Sequence, residues 1–296
     1  MRNRLHERYY HAMLLPGMIL LFIFSIIPMF GIVLAFQKFV PTKGVFGSSF
    51  VGLYNFKLLF MYPAAKQVIL NTVIIAVAKI ILGIIVPVFF AILLNEIRSV
   101  RYKRLVQTVV YLPNFLSWII LAIMFNNIFS FNGMVNKLTG LFGVEPKMFM
   151  ISNDSFRTIV IGTDVWKTFG YGAIIYLAAI TNIDPNVYEA AAIDGANRLH
   201  KILYIVLPSI SQTIVLMATL ALGNILNAGF DQIYNMYSPL VYETGDIIDT
   251  YVYRMGLEKM QYSFGTAVGL FKSVVSFILL VTAYKLAARY ADYTLF

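Results

Sequence analysis

Six apolar runs, each long enough to cross a bilayer, alternate with more polar stretches along the chain. They run from about Leu14 to Phe36, Val68 to Leu94, Leu105 to Phe129, Thr158 to Ile180, Ile205 to Ala228 and Thr266 to Ala288. A helix crosses the hydrocarbon with roughly 20 apolar residues, so the pattern predicts an all-α membrane protein with six transmembrane helices. The expected arrangement is a single domain over residues 1–296, with core helices at about 68–288. The first run follows Arg2, Arg4 and Arg8, as a signal peptide would. It is longer than a typical h-region and no small-x-small cleavage site follows, so a retained helix is expected.

The polar stretches give the orientation. Lys and Arg gather in cytoplasmic loops. Arg2, Arg4 and Arg8 precede the first run. Arg98, Arg101, Lys103 and Arg104 lie between the second and third, Arg198 and Lys201 between the fourth and fifth, and Lys285 and Arg289 in the tail. These four segments fall on one side if the number of spans is even, which places both termini in the cytoplasm. The last opposite loop is acidic, with Asp231, Glu243, Asp246, Asp249 and Glu258, although Lys38, Lys43, Lys57 and Lys66 also fall on that side.

Composition agrees. Of 296 residues 59% are hydrophobic and only 12% charged, against about 25% charged in a soluble domain. The net charge of +9 suits anionic lipid beside the spans. No arginine-rich, aromatic-interleaved segment points to nucleic acid. The absence of cysteine excludes disulfides, thiol catalysis and cysteine metal sites. His6, His11 and His200 are the only histidines, too scattered for a metal cluster. No nucleophile–base or metal constellation supports a membrane-embedded enzyme. No internal repeat supports a secondary transporter, the main alternative for a membrane protein of this kind.

The polar gap at about 184–208 holds the most informative pattern. Asp184-Pro185 is a helix start, an Asp N-cap followed by Pro at the first helical position. A short helix through Tyr188, Glu189, Ala190, Ala191, Ala192 and Ile193 follows, about 15 Å long. Gly195 can adopt positive φ and reverse the chain, Asn197 can cap the next helix, and Pro208 should bend that helix where it enters the membrane. The small alanines let another surface approach closely, and Glu189 offers a charge to it.

Glu189-Ala190-Ala191, then Gly195, then Ile205-Val206-Leu207-Pro208 occur at the offsets of the EAA loop. The segment resembles that loop in permeases of binding-protein-dependent ATP-binding-cassette importers. The resemblance covers nearly the whole chain and is closest to the oligosaccharide branch, of aldouronate or polysaccharide type. It includes "LLPGMILLFIFSIIPMFGIVLAFQKF", "DVWKTFGYGAIIYLAAITNIDPNVYEAAAIDGA", "GNILNAGFDQIYNMYSPLVYETGDIIDTYVYRMGL" and "YSFGTAVGLFKSVV". It implies a type I importer permease fold in a bacterial cytoplasmic membrane. It also implies a cytoplasmic coupling helix, with Tyr188, Glu189, Ala190, Ala191, Asp194, Gly195, Leu207 and Pro208 as the ATPase-coupling residues of its loop. The implied partners are a second homologous permease, two ATP-binding subunits, an extracytoplasmic solute-binding protein and an oligosaccharide. The chain has no G-x-x-x-x-G-K-[ST] loop. The expectation is therefore no cofactor on this chain, with ATP and Mg on the partner ATPase subunits and no catalysis here.

Ionisable groups at membrane depth are costly and usually face a partner or a cavity. Lys79 lies in the second run and Lys272 in the sixth. Asp164 and Lys167 in the fourth are spaced to form a local pair. Asn224 and Asn227 in the fifth lie one helical turn apart, and carboxamides suit sugar hydroxyls because they both donate and accept. Trp166 and Tyr171 could stack on sugar rings. Asn224, Asn227, Lys79, Lys167, Trp166 and Tyr171 are therefore the candidate substrate path. If its lysines face that path, with Lys272, they suit an acidic sugar.

Overall fold

The computed structural model describes residues 2–290. The side chains of Arg2, Arg4, Arg8 and Arg289, which enter the orientation argument, lie outside the described residues. The chain divides into two compact units, Met1–Ala65 with Tyr251–Lys272 and Lys66–Thr250 with Ser273–Phe296.

In the first unit, helix α1 (Arg2–Leu21) continues into a π turn at Phe22–Ile26 and ends in a 3-10 stretch at Phe30–Phe36. Pro28 accounts for the widening: it donates no hydrogen bond and its ring crowds the carbonyl four residues back, and a π turn absorbs the misfit. A short ribbon follows that the apolar pattern does not announce. Strand β1 (Gln37–Lys38) pairs antiparallel with β2 (Ser49–Phe50), Gln37 opposite Phe50. Buried Asn55, in α2 (Tyr54–Met61), holds the start of the ribbon by donating to the carbonyls of Ala35 and Gln37 at 2.9 and 3.0 Å.

The second unit is built around two long helices, α3 (Pro63–Asn95, from residue 66) and α6 (Asn153–Thr181). Between them in sequence lie α4 (Val100–Tyr111) and α5 (Trp118–Ile128). After α6 come α7 (Pro185–Ile193), α8 (Arg198–Lys201), a π turn at Ile202–Val206, α9 (Leu207–Leu222) and α10 (Phe230–Met236). One core cluster joins Ile75, Leu121, Phe125, Phe156, Val160 and Ile233. Another joins Ala91, Leu94, Ala173, Tyr176 and Ile210. Pro208 does not end its helix. The π turn lies just before it, as at Pro28, so the bend expected there takes the form of a locally widened helix.

Four helical stretches among the described residues are long and apolar enough to cross a membrane: Tyr9–Phe36, Pro63–Asn95, Arg198–Leu222 and Tyr262–Thr282. Only 6% of the most apolar window of the first is buried within the chain. Val100–Phe115 and Trp118–Ile128 make a fifth if they count as one crossing, but they are bent by 102°. The expected third span, Leu105 to Phe129, is therefore interrupted by a sharp bend. Helix α6 has the length of a span, but Asp154, Arg157, Asp164 and Lys167 dilute its hydropathy. The expected six runs are thus four apolar spans, one broken pair and one polar helix.

Candidate functional site

The segment with the EAA spacing folds as a sharp reversal. Asp184 caps α7 by accepting from the Asn186 amide at 2.9 Å. At the other end the Ala196 amide donates to Ala191 O at 2.8 Å and the Gly195 amide to Ala192 O at 3.2 Å. This crossed pair of bonds requires a left-handed residue at Gly195, whose φ is +77°. Asn197 then caps α8 by accepting from the His200 amide at 2.9 Å. The turn is therefore held by its own short-range bonds.

No residue of α7 is buried. Glu189, Ala190 and Asp194 are exposed, Ala191 half-buried, and Ile193 is 87% exposed. An isoleucine so placed costs about 1.5–3 kcal/mol of unrealised burial. Tyr188 turns back to pack against the second core cluster. Its hydroxyl is buried and accepts no partner among the described residues. Burial, with the Glu96 carboxylate adding to it, pushes the Tyr188 phenol above its ordinary range, so it stays a neutral donor at pH 7. Leu207 and Pro208 open α9, directly after the π turn, and lie beyond the reversal itself.

The in-span charges pair differently from the expectation. Asp164 does not pair with Lys167; it accepts from Lys79 Nζ at 3.2 Å, across from α6 to α3. Lys79 also donates to Ala228 O at 2.8 Å and to Gln232 Oε1. An ammonium has three hydrogens, so all three are committed within the chain. Gln232, fully buried, passes the network on by donating to Val160 O at 2.7 Å and Thr163 Oγ1 at 2.8 Å. Gly229 (φ +98°) supplies the backbone conformation that opens α10 here, and a Cβ on it would lie 2.9 Å from Lys79 Nζ.

Lys167 has a separate task. It is 8% exposed and donates to Asn114 O and Leu116 O, both at 2.8 Å. Those carbonyls belong to the bend between α4 and α5, where the helix ladder is interrupted. Inside a membrane such groups must find a donor within the protein. The Lys167 ammonium also lies 5.4 Å from the centre of the Trp118 ring, a distance at which cation–π attraction operates.

Asn224 and Asn227 lie past the end of α9, on an unwound turn and not on a helix as the spacing suggests. They still share a face, because Asn227 Nδ2 donates to Asn224 Oδ1 at 3.1 Å. Both line a cavity of roughly 270 Å³ together with Lys79, Asp164, Tyr176 and Gly229. Lys167, Trp166 and Tyr171 do not line it. Trp166 packs edge-on against Phe125 at 5.5 Å between ring centres, and Tyr171 against Phe115 at 6.3 Å. Tyr176 and Gln232 complete this region, and no local pattern in the sequence marks either. Among the described residues no group of three or more His, Asp or Glu could hold a metal ion.

Residues 88–292 match the family described as binding-protein-dependent transport system inner membrane component. The chain is 39% identical, over 97% of its length and 90% of the relative's, to the polygalacturonan/rhamnogalacturonan transport system permease protein YteP of Bacillus subtilis. It superimposes with a TM-score of 0.90 and 36% identity, covering 98% of both chains, on a bacterial ABC transporter involved in the import of the acidic polysaccharide alginate. A second structure of a bacterial alginate ABC transporter, in complex with alginate pentasaccharide-bound periplasmic protein, matches at TM-score 0.89 and 35% identity over 97% of this chain and 96% of that one.

Proposed function

Since the chain belongs to the family of binding-protein-dependent transport system inner membrane components, we propose that its exposed helix α7 is the lever through which an ATPase drives import of an acidic oligosaccharide. The observation that carries this reading is the α7 reversal. It is rigidly capped at both ends, exposes Ile193, and has an alanine face open to close approach. An exposed, preorganised apolar tip loses little entropy on docking. Glu189 provides the charge that orients it.

In this reading the chain contributes six membrane crossings, counting the broken α4–α5 pair and the polar helix α6, with both termini in the cytoplasm. A second, homologous permease completes the pore. Two ATP-binding subunits hold ATP and Mg and perform hydrolysis, and a solute-binding protein delivers the sugar from outside. ATPase closure draws the α7 helices of the two permeases together, and the Arg198–Leu222 stretch carries that motion into the membrane. The names of the relatives, polygalacturonan/rhamnogalacturonan and alginate, support an acidic sugar.

Within the chain, Asn224 and Asn227 are the polar groups best placed on the path, because they face the cavity with carboxamides suited to hydroxyls. Lys79 shapes that cavity, but its ammonium is committed to Asp164, Ala228 and Gln232. Lys167 is committed to the bend. Recognition of the sugar's charge therefore falls to other groups, on this subunit or its partners.

Glu189→Lys reverses the charge at an exposed position and leaves the caps of α7 intact. The expected outcome is an assembled complex whose ATP hydrolysis no longer responds to loaded binding protein and whose uptake falls at least tenfold. Wild-type uptake in proteoliposomes containing this variant contradicts the assignment of α7 as the lever.

A further inference from the structure

A second cavity, of roughly 350 Å³, lies between the end of α3 and the start of α8. Its walls carry Arg98, Arg198 and Lys201, with Glu96 and Asn95 beside them and Ile202 and Val206 as an apolar floor. Three cations thus face one carboxylate. Among the described residues none of these four charged groups makes an ion pair. Tyr188, whose hydroxyl is buried and without a hydrogen-bond partner, is among the lining residues. An unpartnered buried hydroxyl costs about 1–3 kcal/mol. Arg98, Arg198 and Glu96 are exposed and Lys201 half-buried, so the charges stay solvated, and their excess of positive charge favours an anion over a cation in the hollow.

We propose that this cavity binds a phosphate group. Two guanidiniums and an ammonium line it as cationic donors, with the Tyr188 phenol packed beside them. A carboxylate offers two oxygens to such a set, whereas phosphate presents a tetrahedral array of acceptors that guanidiniums engage in bidentate fashion. Glu96 calls for a donor next to the phosphate, and the Asn95 carboxamide both donates and accepts, so a hydroxylated substituent suits both. Ile202 and Val206 suit the apolar part of such a molecule. Two sources share this chemistry: the headgroup of an anionic glycerophospholipid and a soluble phosphate ester or inorganic phosphate. The site is read from this chain's own side chains and does not depend on the coupling role of α7.

The test uses the purified protein with its co-purifying subunits, and a binding readout that involves neither transport nor hydrolysis. Native mass spectrometry compares retention of phosphatidylglycerol and phosphatidylcholine. Isothermal titration with inorganic phosphate and with glycerol 3-phosphate tests the soluble source. Basic residues beside an anionic lipid contribute about fivefold each. Arg98→Gln and Arg198→Gln should therefore each lower phosphatidylglycerol retention about fivefold, and 0.5 M salt should lower it further. Tyr188→Phe keeps the ring packing, removes the unpartnered hydroxyl, and should weaken binding severalfold with no loss of thermal stability. It decides the matter if either arginine variant fails to fold.

Preference for phosphatidylglycerol that is lost in the variants identifies the lipid source. Phosphate binding lost in the same variants, without lipid preference, identifies the soluble one. Equal retention of both lipids with no phosphate binding overturns the proposal. So does wild-type binding in the variants, including variants that shed an ATPase subunit, in which case these cations serve a protein contact.

Discussion

Two buried lysines, Lys79 and Lys167, carry much of the internal architecture, and each stands opposite a break in a neighbouring helix. Lys79 holds the carbonyl of Ala228 just before α10, and Lys167 holds those of Asn114 and Leu116 between α4 and α5. Removing one member of a buried ion pair leaves the other uncompensated, whereas replacing both with apolar groups of similar size is far less harmful. Asp164 keeps partial contact with solvent, which moderates the effect. Lys79→Met should lower stability by about 2 kcal/mol, and Lys79→Met with Asp164→Leu should recover at least half of that. Thermal unfolding of the detergent-solubilised protein checks both; a double variant weaker than the single would refute the pairing as the source of the effect. These partnerships were not legible in the sequence. Lys79 and Asp164 are 85 residues apart, while Lys167 lies three residues from Asp164, so helical spacing favoured the wrong partner.

At the scale of elements, the reversal at α7 was legible because everything that makes it is local. Asp184, Pro185, Gly195 and Asn197 each act within a few residues, and all the capping bonds they imply form. The broken α4–α5 span was not legible, because Pro113 and Ser117 sit in a run apolar enough to pass as one helix. The Asn224–Asn227 turn was hidden for the same reason: a helical period places both residues on one face whether or not the segment is helical. The caps of the reversal also allow a graded test. Gly195 has φ +77° and open space around its α-carbon, so Gly195→Ala adds backbone strain and no steric clash. It should destabilise the reversal by about 1 kcal/mol, seen as faster amide exchange across 190–197 with the global unfolding midpoint nearly unchanged. Unaltered exchange there would mean that the positive φ is not needed in solution.

The whole molecule is organised for attachment as well as for burial. The first span buries little of itself within the chain, α7 buries no residue, and the long helices of the second unit line a modest open cavity that carries Lys79, Asp164, Asn224 and Asn227. So much uncovered apolar surface suits a lipid environment, in keeping with a chain of the binding-protein-dependent transport system inner membrane component family. The proposed seating of α7 in an ATPase subunit on the cytoplasmic side can be probed directly. Because the chain contains no cysteine, a single introduced thiol reports without background. Ile193→Cys, co-expressed with the ATPase subunits and treated with a bifunctional thiol reagent in inverted membrane vesicles, should crosslink to an ATPase subunit in high yield. It should also resist an impermeant maleimide applied to intact cells. Ready labelling from outside, or no crosslink in an assembled complex, would rule out that seating.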